Sequence, residues 1–139
     1  MVLTLEQLRD NAPRPLEVEE LGEVIMVRDL TDGERDDIAA EIEKERRSKI
    51  AELYKDFKAK GITDREILTD EIDSINNWAM AEQTRRAVAL MVVEPDLSSP
   101  DVRKQIPRRK LDAIYMAVLR EIEREMQTYP EMKEEAKKF

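Results

Sequence analysis

The chain contains no cysteine and no histidine. Without thiols it can form neither a disulfide framework nor a thiolate zinc site, which fits a cytosolic protein. The lack of imidazole removes the usual general base near neutral pH, the commonest metal ligand and the usual pH switch. Glycine is scarce too. Gly22, Gly33 and Gly61 are the only three, and each has a local role at a turn, a helix start or a helix stop. No phosphate-cradling loop is left over, so neither a nucleotide enzyme nor any other enzymatic activity is expected. Aromatic residues make up 4% of the chain while charged residues reach 40%, against a usual charged share of about a quarter. The core must therefore be built from Ile, Leu, Val, Met and Ala on helical stripes. No apolar run reaches membrane-spanning length, and MVLTLEQLRD at the start lacks the basic and apolar regions of a signal peptide.

What is present is acidic helix. With 139 residues and no break in composition, one domain is expected, large enough for one core. A net charge of −8 argues against a nucleic-acid backbone or an anionic membrane as the main partner, because both attract basic surfaces.

The stretch Leu16 to Ile42 organises the rest. Leu16 and Val18 alternate with charged neighbours, Leu21-Gly22 signals a turn, and Val24 to Val27 is a short apolar run rich in β-branched residues; together they predict a two-stranded hairpin within residues 16–30. Thr31-Asp-Gly-Glu34 then has the pattern of a capping box, in which the threonine hydroxyl and the glutamate carboxylate each accept from the other's backbone N–H. A helix is predicted from there to about Lys60, with Gly61 as its left-handed stop. Its middle, Glu43 to Lys49, carries no apolar residue and is expected in water, with Glu43–Arg47 and Glu45–Lys49 as i,i+4 pairs.

Before this stretch, Thr4 to Gln7 is a second capping-box pattern that opens a short helix ending before Pro13. After it, Thr63 to Glu66 is a third, followed by Ile67, Leu68, Ile72, Ile75 and Ala79 on one helical face. The same wheel carries Glu82 and Arg86, read as a bridge at the rim of a core. Ala87 to Val93 is apolar all round, which suits either a buried helix or a buried strand; the uninterrupted approach favours helix, ending at Glu94-Pro95. Ser99 and Pro100 open a short helix. Pro107 opens the last long one, in which Leu111, Ile114, Tyr115, Val118, Ile122 and Met126 keep the i, i+3, i+4 rule until Tyr129-Pro130 stops it. The predicted fold is mainly α with a small N-terminal β-hairpin, an α+β arrangement in a single compact helical domain. Residues 1–15 form a helix and linker, 16–30 the hairpin, 31–129 the helical body and 130–139 a charged tail.

No catalytic residue, cofactor site or metal site is assigned. Glu17, Glu19, Glu20 and Glu23 cluster on the hairpin, but without ligand spacing they read as a solvated strand face. Met116 falls outside the apolar arc of its helix, about 60° from Leu119 at the arc's edge. These two form a candidate apolar strip for a helical partner, with Asp112 and Glu123 keeping it soluble. The competing reading is that Met116 packs under the hairpin or the first helix, or touches another copy of the chain.

Two blocks together resemble the tail assembly chaperones of long-tailed, siphovirus-like bacteriophages. The first is VEELGEVIMVRDLTDGERDDI, Val18 to Ile38, a hairpin with a V-x-V-R-x-L-T-x-G-E-R ending. The second is AVALMVVEPDLSSPDV, Ala87 to Val102, followed by IPRRKLDAIYMAVLREI, Ile106 to Ile122. They cover roughly half of the chain, and the charged segment from Glu43 to Asp73 looks longer than is usual in such proteins. The resemblance implies a non-virion protein of the host cytoplasm that binds the helical, aggregation-prone tape measure protein and helps recruit tail tube protein. Self-association is a further option among its partners. A minor structural head-tail or tail component, and a cytosolic helical adaptor unrelated to phage, are the alternatives.

Overall fold

A computed structural model describes residues 1–127. In chain order it contains α1 (Leu5–Arg9), β1 (Arg14–Val18), a 3-10 turn (Glu19–Leu21), β2 (Glu23–Val27), α2 (Asp32–Lys60), α3 (Arg65–Met91), β3 (Val92–Glu94), α4 (Pro100–Lys104) and α5 (Arg108–Gln127). The protein is mainly α with a small antiparallel sheet. Met126 as a core side chain, Tyr129-Pro130 as a helix stop and 130–139 as a charged tail lie outside the described residues and side chains.

The chain divides into two compact units. One holds Met1–Asp29 and the chain from Val88 onward; the other is Leu30–Ala87.

In the first unit β2 is central, with β1 and β3 antiparallel on either side. Leu16 faces Ile25, and the period-two pattern puts Val18, Ile25 and Val27 on the buried face while Glu17 and Val24 on the other face stay exposed. The turn between the strands ends at Gly22 with φ of 63°, a left-handed conformation that glycine adopts without a Cβ penalty. β3 is a correction to the helix expected through Val93. The helix stops at Met91, and Val92 pairs with Val27 while Glu94 pairs with Met26. A contiguous apolar run satisfies a helix or a strand equally well, and only the hydrogen-bonding edge of β2, far away in sequence, selects the strand.

α5 packs against β1 and the 3-10 turn. Ile114, Ala117 and Val118 are its buried positions, whereas Leu111, Tyr115 and Ile122 are half-buried; the buried arc is thus turned toward Ala117 relative to the expected stripe. Leu97 is 1% exposed. Its loop is braced by Arg103, whose guanidinium donates to the carbonyls of Leu97 at 2.6 Å and Ser98 at 3.1 Å. Ser99 holds the cap position of α4 without a side-chain hydrogen bond.

The second unit contains α2 and α3 up to Ala87. The capping box at Thr31 is formed as expected: the N–H of Glu34 donates to the threonine hydroxyl at 3.2 Å, and the N–H of Thr31 to the Glu34 carboxylate at 3.1 Å. Gly61 closes α2 at φ of 68°. The start of α3 lies one residue beyond the expected cap. Asp64 accepts from the N–H of Glu66 at 2.9 Å, and an aspartate at this position caps as well as a threonine does. Ile38, Ile42 and Ala79 are buried.

Candidate functional site

Met116 lies on the side of α5 turned away from its buried positions and is 48% exposed. With Asp112 and Ala113 of α5, Arg109 of its first turn, and Glu20 and Leu21 of the 3-10 turn, it lines an open groove of about 370 Å³. The α5 stripe at i, i+4, i+7 and i+11 therefore places Asp112, Met116, Leu119 and Glu123 on one face. Asp112 and Met116 are brought into the groove, whereas Leu119, half-buried, and Glu123, exposed, are not part of its lining. Met116 borders the hairpin turn but is not covered by it.

The groove's polar walls are organised by ion pairs. Arg120 donates to the Glu20 carboxylate at 2.8 Å. Glu20 is held below the ordinary carboxylate range by a hydrogen bond from the backbone and by this arginine. Arg108 approaches Asp112 at 3.8 Å. Arg109 forms no ion pair among the described residues. In the sequence Glu20 reads only as part of a solvated acidic cluster and Leu21 only as a turn residue, and nothing there joins them to α5; the turn and the helix meet only through the tertiary fold. The basic run Arg108-Arg109-Lys110 was the available hint.

The second unit has a larger groove, about 730 Å³, whose lining includes Lys49, Glu52, Leu53, Asp56 and Ile75. Near it Lys49 Nζ stands 4.5 Å from the centre of the Trp78 ring, a favourable cation–π distance. Glu45, expected to pair with Lys49, instead accepts from Arg86 at 2.6 Å. Arg86 also donates to Glu82 at 3.1 Å and lies 3.8 Å from Glu41, so the expected Glu82–Arg86 pair is present as part of a network. Arg86 and Glu82 are 22% and 20% exposed. Partial desolvation works against the Arg86 charge, and the hydrogen bonds to Glu82 and Glu45 outweigh it, leaving its pKa raised. Arg46 forks onto Glu43 at 2.8 and 2.9 Å, Arg47 adds a bond at 3.0 Å, and together they lower the Glu43 pKa to about 2.

Among the described residues no group of three or more His, Cys, Asp or Glu side chains is placed to hold a metal ion, and no helix is long and apolar enough to cross a membrane. No protein-family model, curated protein or solved structure matches the chain.

Proposed function

We propose that this protein is a non-enzymatic tail assembly chaperone of a long-tailed bacteriophage, acting in the host cytoplasm on the tape measure protein and helping to recruit tail tube subunits. The observation that carries the reading is the meeting of the two resembling blocks. Val18 to Ile38 and Ala87 to Val102 are far apart in sequence, yet Val27 pairs with Val92 and Met26 with Glu94 in one sheet, and α5 packs on that sheet. The strand portions of the two motifs, each weak alone, thus share one sheet within the first unit. The acidic surface and the half-exposed Met116 strip suit shielding: an apolar stripe on a helical client is covered by helix-in-groove packing, while the chaperone's charge keeps the complex dispersed.

The test is co-purification with the tape measure protein encoded in the same tail gene cluster, together with mass spectrometry of purified particles. A chaperone is retained with the tape measure protein and is absent from the finished particle. Stoichiometric recovery from particles would establish the minor structural reading instead.

A further inference from the structure

The Met116 groove has an apolar floor and an unbalanced rim. Leu21, Ala113 and Met116 provide the floor, and the two carboxylates in the lining, Glu20 and Asp112, are each engaged by an arginine, Arg120 at 2.8 Å and Arg108 at 3.8 Å. Arg109 remains as a cation in the lining with no ion-pair partner among the described residues, and Arg108, with its side chain 90% exposed, holds its aspartate only loosely. Both belong to the first turn of α5, which contains no acidic residue. Cations there face the positive end of the helix dipole, an arrangement that costs stability. The other long helices, α2 and α3, carry Asp32 and Glu34 or Glu66 in the same place. A charge arrangement unfavourable in the free chain becomes favourable once carboxylates arrive beside Arg108 and Arg109.

We infer that this groove takes an amphipathic helix whose apolar stripe is flanked by carboxylates, the stripe seating on Leu21, Ala113 and Met116 and the carboxylates pairing with Arg108 and Arg109. The inference rests on the chaperone reading only for the identity of the protein that carries the helix. A nucleic acid fits less well. Its extended charge samples the field of the whole chain, which is −8, and Glu20 and Asp112 lie in the groove itself. A helix with a few carboxylates senses charges within roughly a Debye length of about 8 Å, where, among the described residues, Arg120 offsets Glu20, Arg108 offsets Asp112 and Arg109 is left as the excess cation.

The experiment is fluorescence anisotropy of the full chain with two synthetic amphipathic helices that share one leucine stripe, flanked by glutamate in one and by lysine in the other, and with a short DNA duplex. The glutamate-flanked helix is expected to bind at least about tenfold more tightly than the lysine-flanked one, and the preference should shrink with added salt. The double variant Arg108→Glu, Arg109→Glu should reverse the preference, while Arg109→Lys keeps it; circular dichroism confirms that each variant is folded. Equal binding of both helices, an unchanged preference in the double reversal, or tighter binding of the duplex overturns the inference. If the acidic helix binds as described but the tape measure protein does not co-purify, the chaperone reading fails and this inference stands. If the tape measure protein co-purifies equally well with the folded double reversal, only this inference fails.

Discussion

The backbone N–H of Arg28 donates to the carbonyl of Met91 at 2.8 Å, tying the end of the hairpin to the last residue of α3. From that bond onward the chain leaves the helix and runs as a strand. Val92 is 3% exposed and Val93 38%, the alternation a strand imposes. Replacing Val92 with Asp should therefore cost about 3–5 kcal/mol, the range for an uncompensated buried charge. Val93→Asp should stay within about 0.5 kcal/mol, as surface changes usually do. Urea unfolding of the two variants measures both, and similar losses would contradict the strand.

Arg86 reaches carboxylates of both α2 and α3 within the second unit. Its half-buried setting lies between that of an exposed ion pair, worth less than about 1 kcal/mol, and that of a buried pair, which costs about 3–5 kcal/mol to break. Arg86→Ala should destabilise the protein by about 1–2 kcal/mol at low salt and by less in 1 M NaCl, where the screening length falls to about 3 Å. Arg47, with its side chain 77% exposed, should show about 0.5 kcal/mol or less on the same substitution. Urea melts at the two salt concentrations compare them; equal losses for both arginines would contradict the ranking.

Glu43 accepts from both Arg46 and Arg47, and its pKa falls from the ordinary 4.5 to about 2. A depressed acid contributes stability that is fully present above its unfolded value and is lost as pH falls through its folded value. The Glu43 pairing should hold above about pH 4.5 and disappear as the pH approaches 2. A carbon-13 titration of the Glu43 carboxyl should show the low midpoint in the intact chain and a rise toward the ordinary value in Arg46→Ala. A midpoint near 4.5 in the intact chain would show that the arginine fork does not persist in solution.

Features that depend on neighbours in sequence were legible. Thr4 and Thr31 form their capping boxes, Gly61 stops its helix in the left-handed conformation, and the hairpin alternates as its residues suggest. The caps and the stop succeed because their hydrogen-bonding partners lie within four residues, and the hairpin because its two strands are joined by a short turn. Features that depend on distant partners were not legible. β3 needed the edge of β2, the burial of Leu97 needed the loop braced by Arg103, and the hub role of Arg86 needed Glu45 on another helix. The candidate site divides in the same way. Periodicity placed Asp112, Met116, Leu119 and Glu123 on one face of α5, while Glu20 and Leu21 entered only because the hairpin turn packs beside that helix.

The most direct measurement is the soluble fraction of the tape measure protein co-expressed with this chain, compared with the double variant Met116→Glu, Leu119→Glu. The native chain should keep the tape measure protein in solution, and the double variant should leave it in the pellet while retaining its own solubility and thermal stability. A tape measure protein equally soluble with the native chain, with the variant and with neither would contradict the chaperone function. Unfolding of the variant would instead show that Met116 and Leu119 belong to the core.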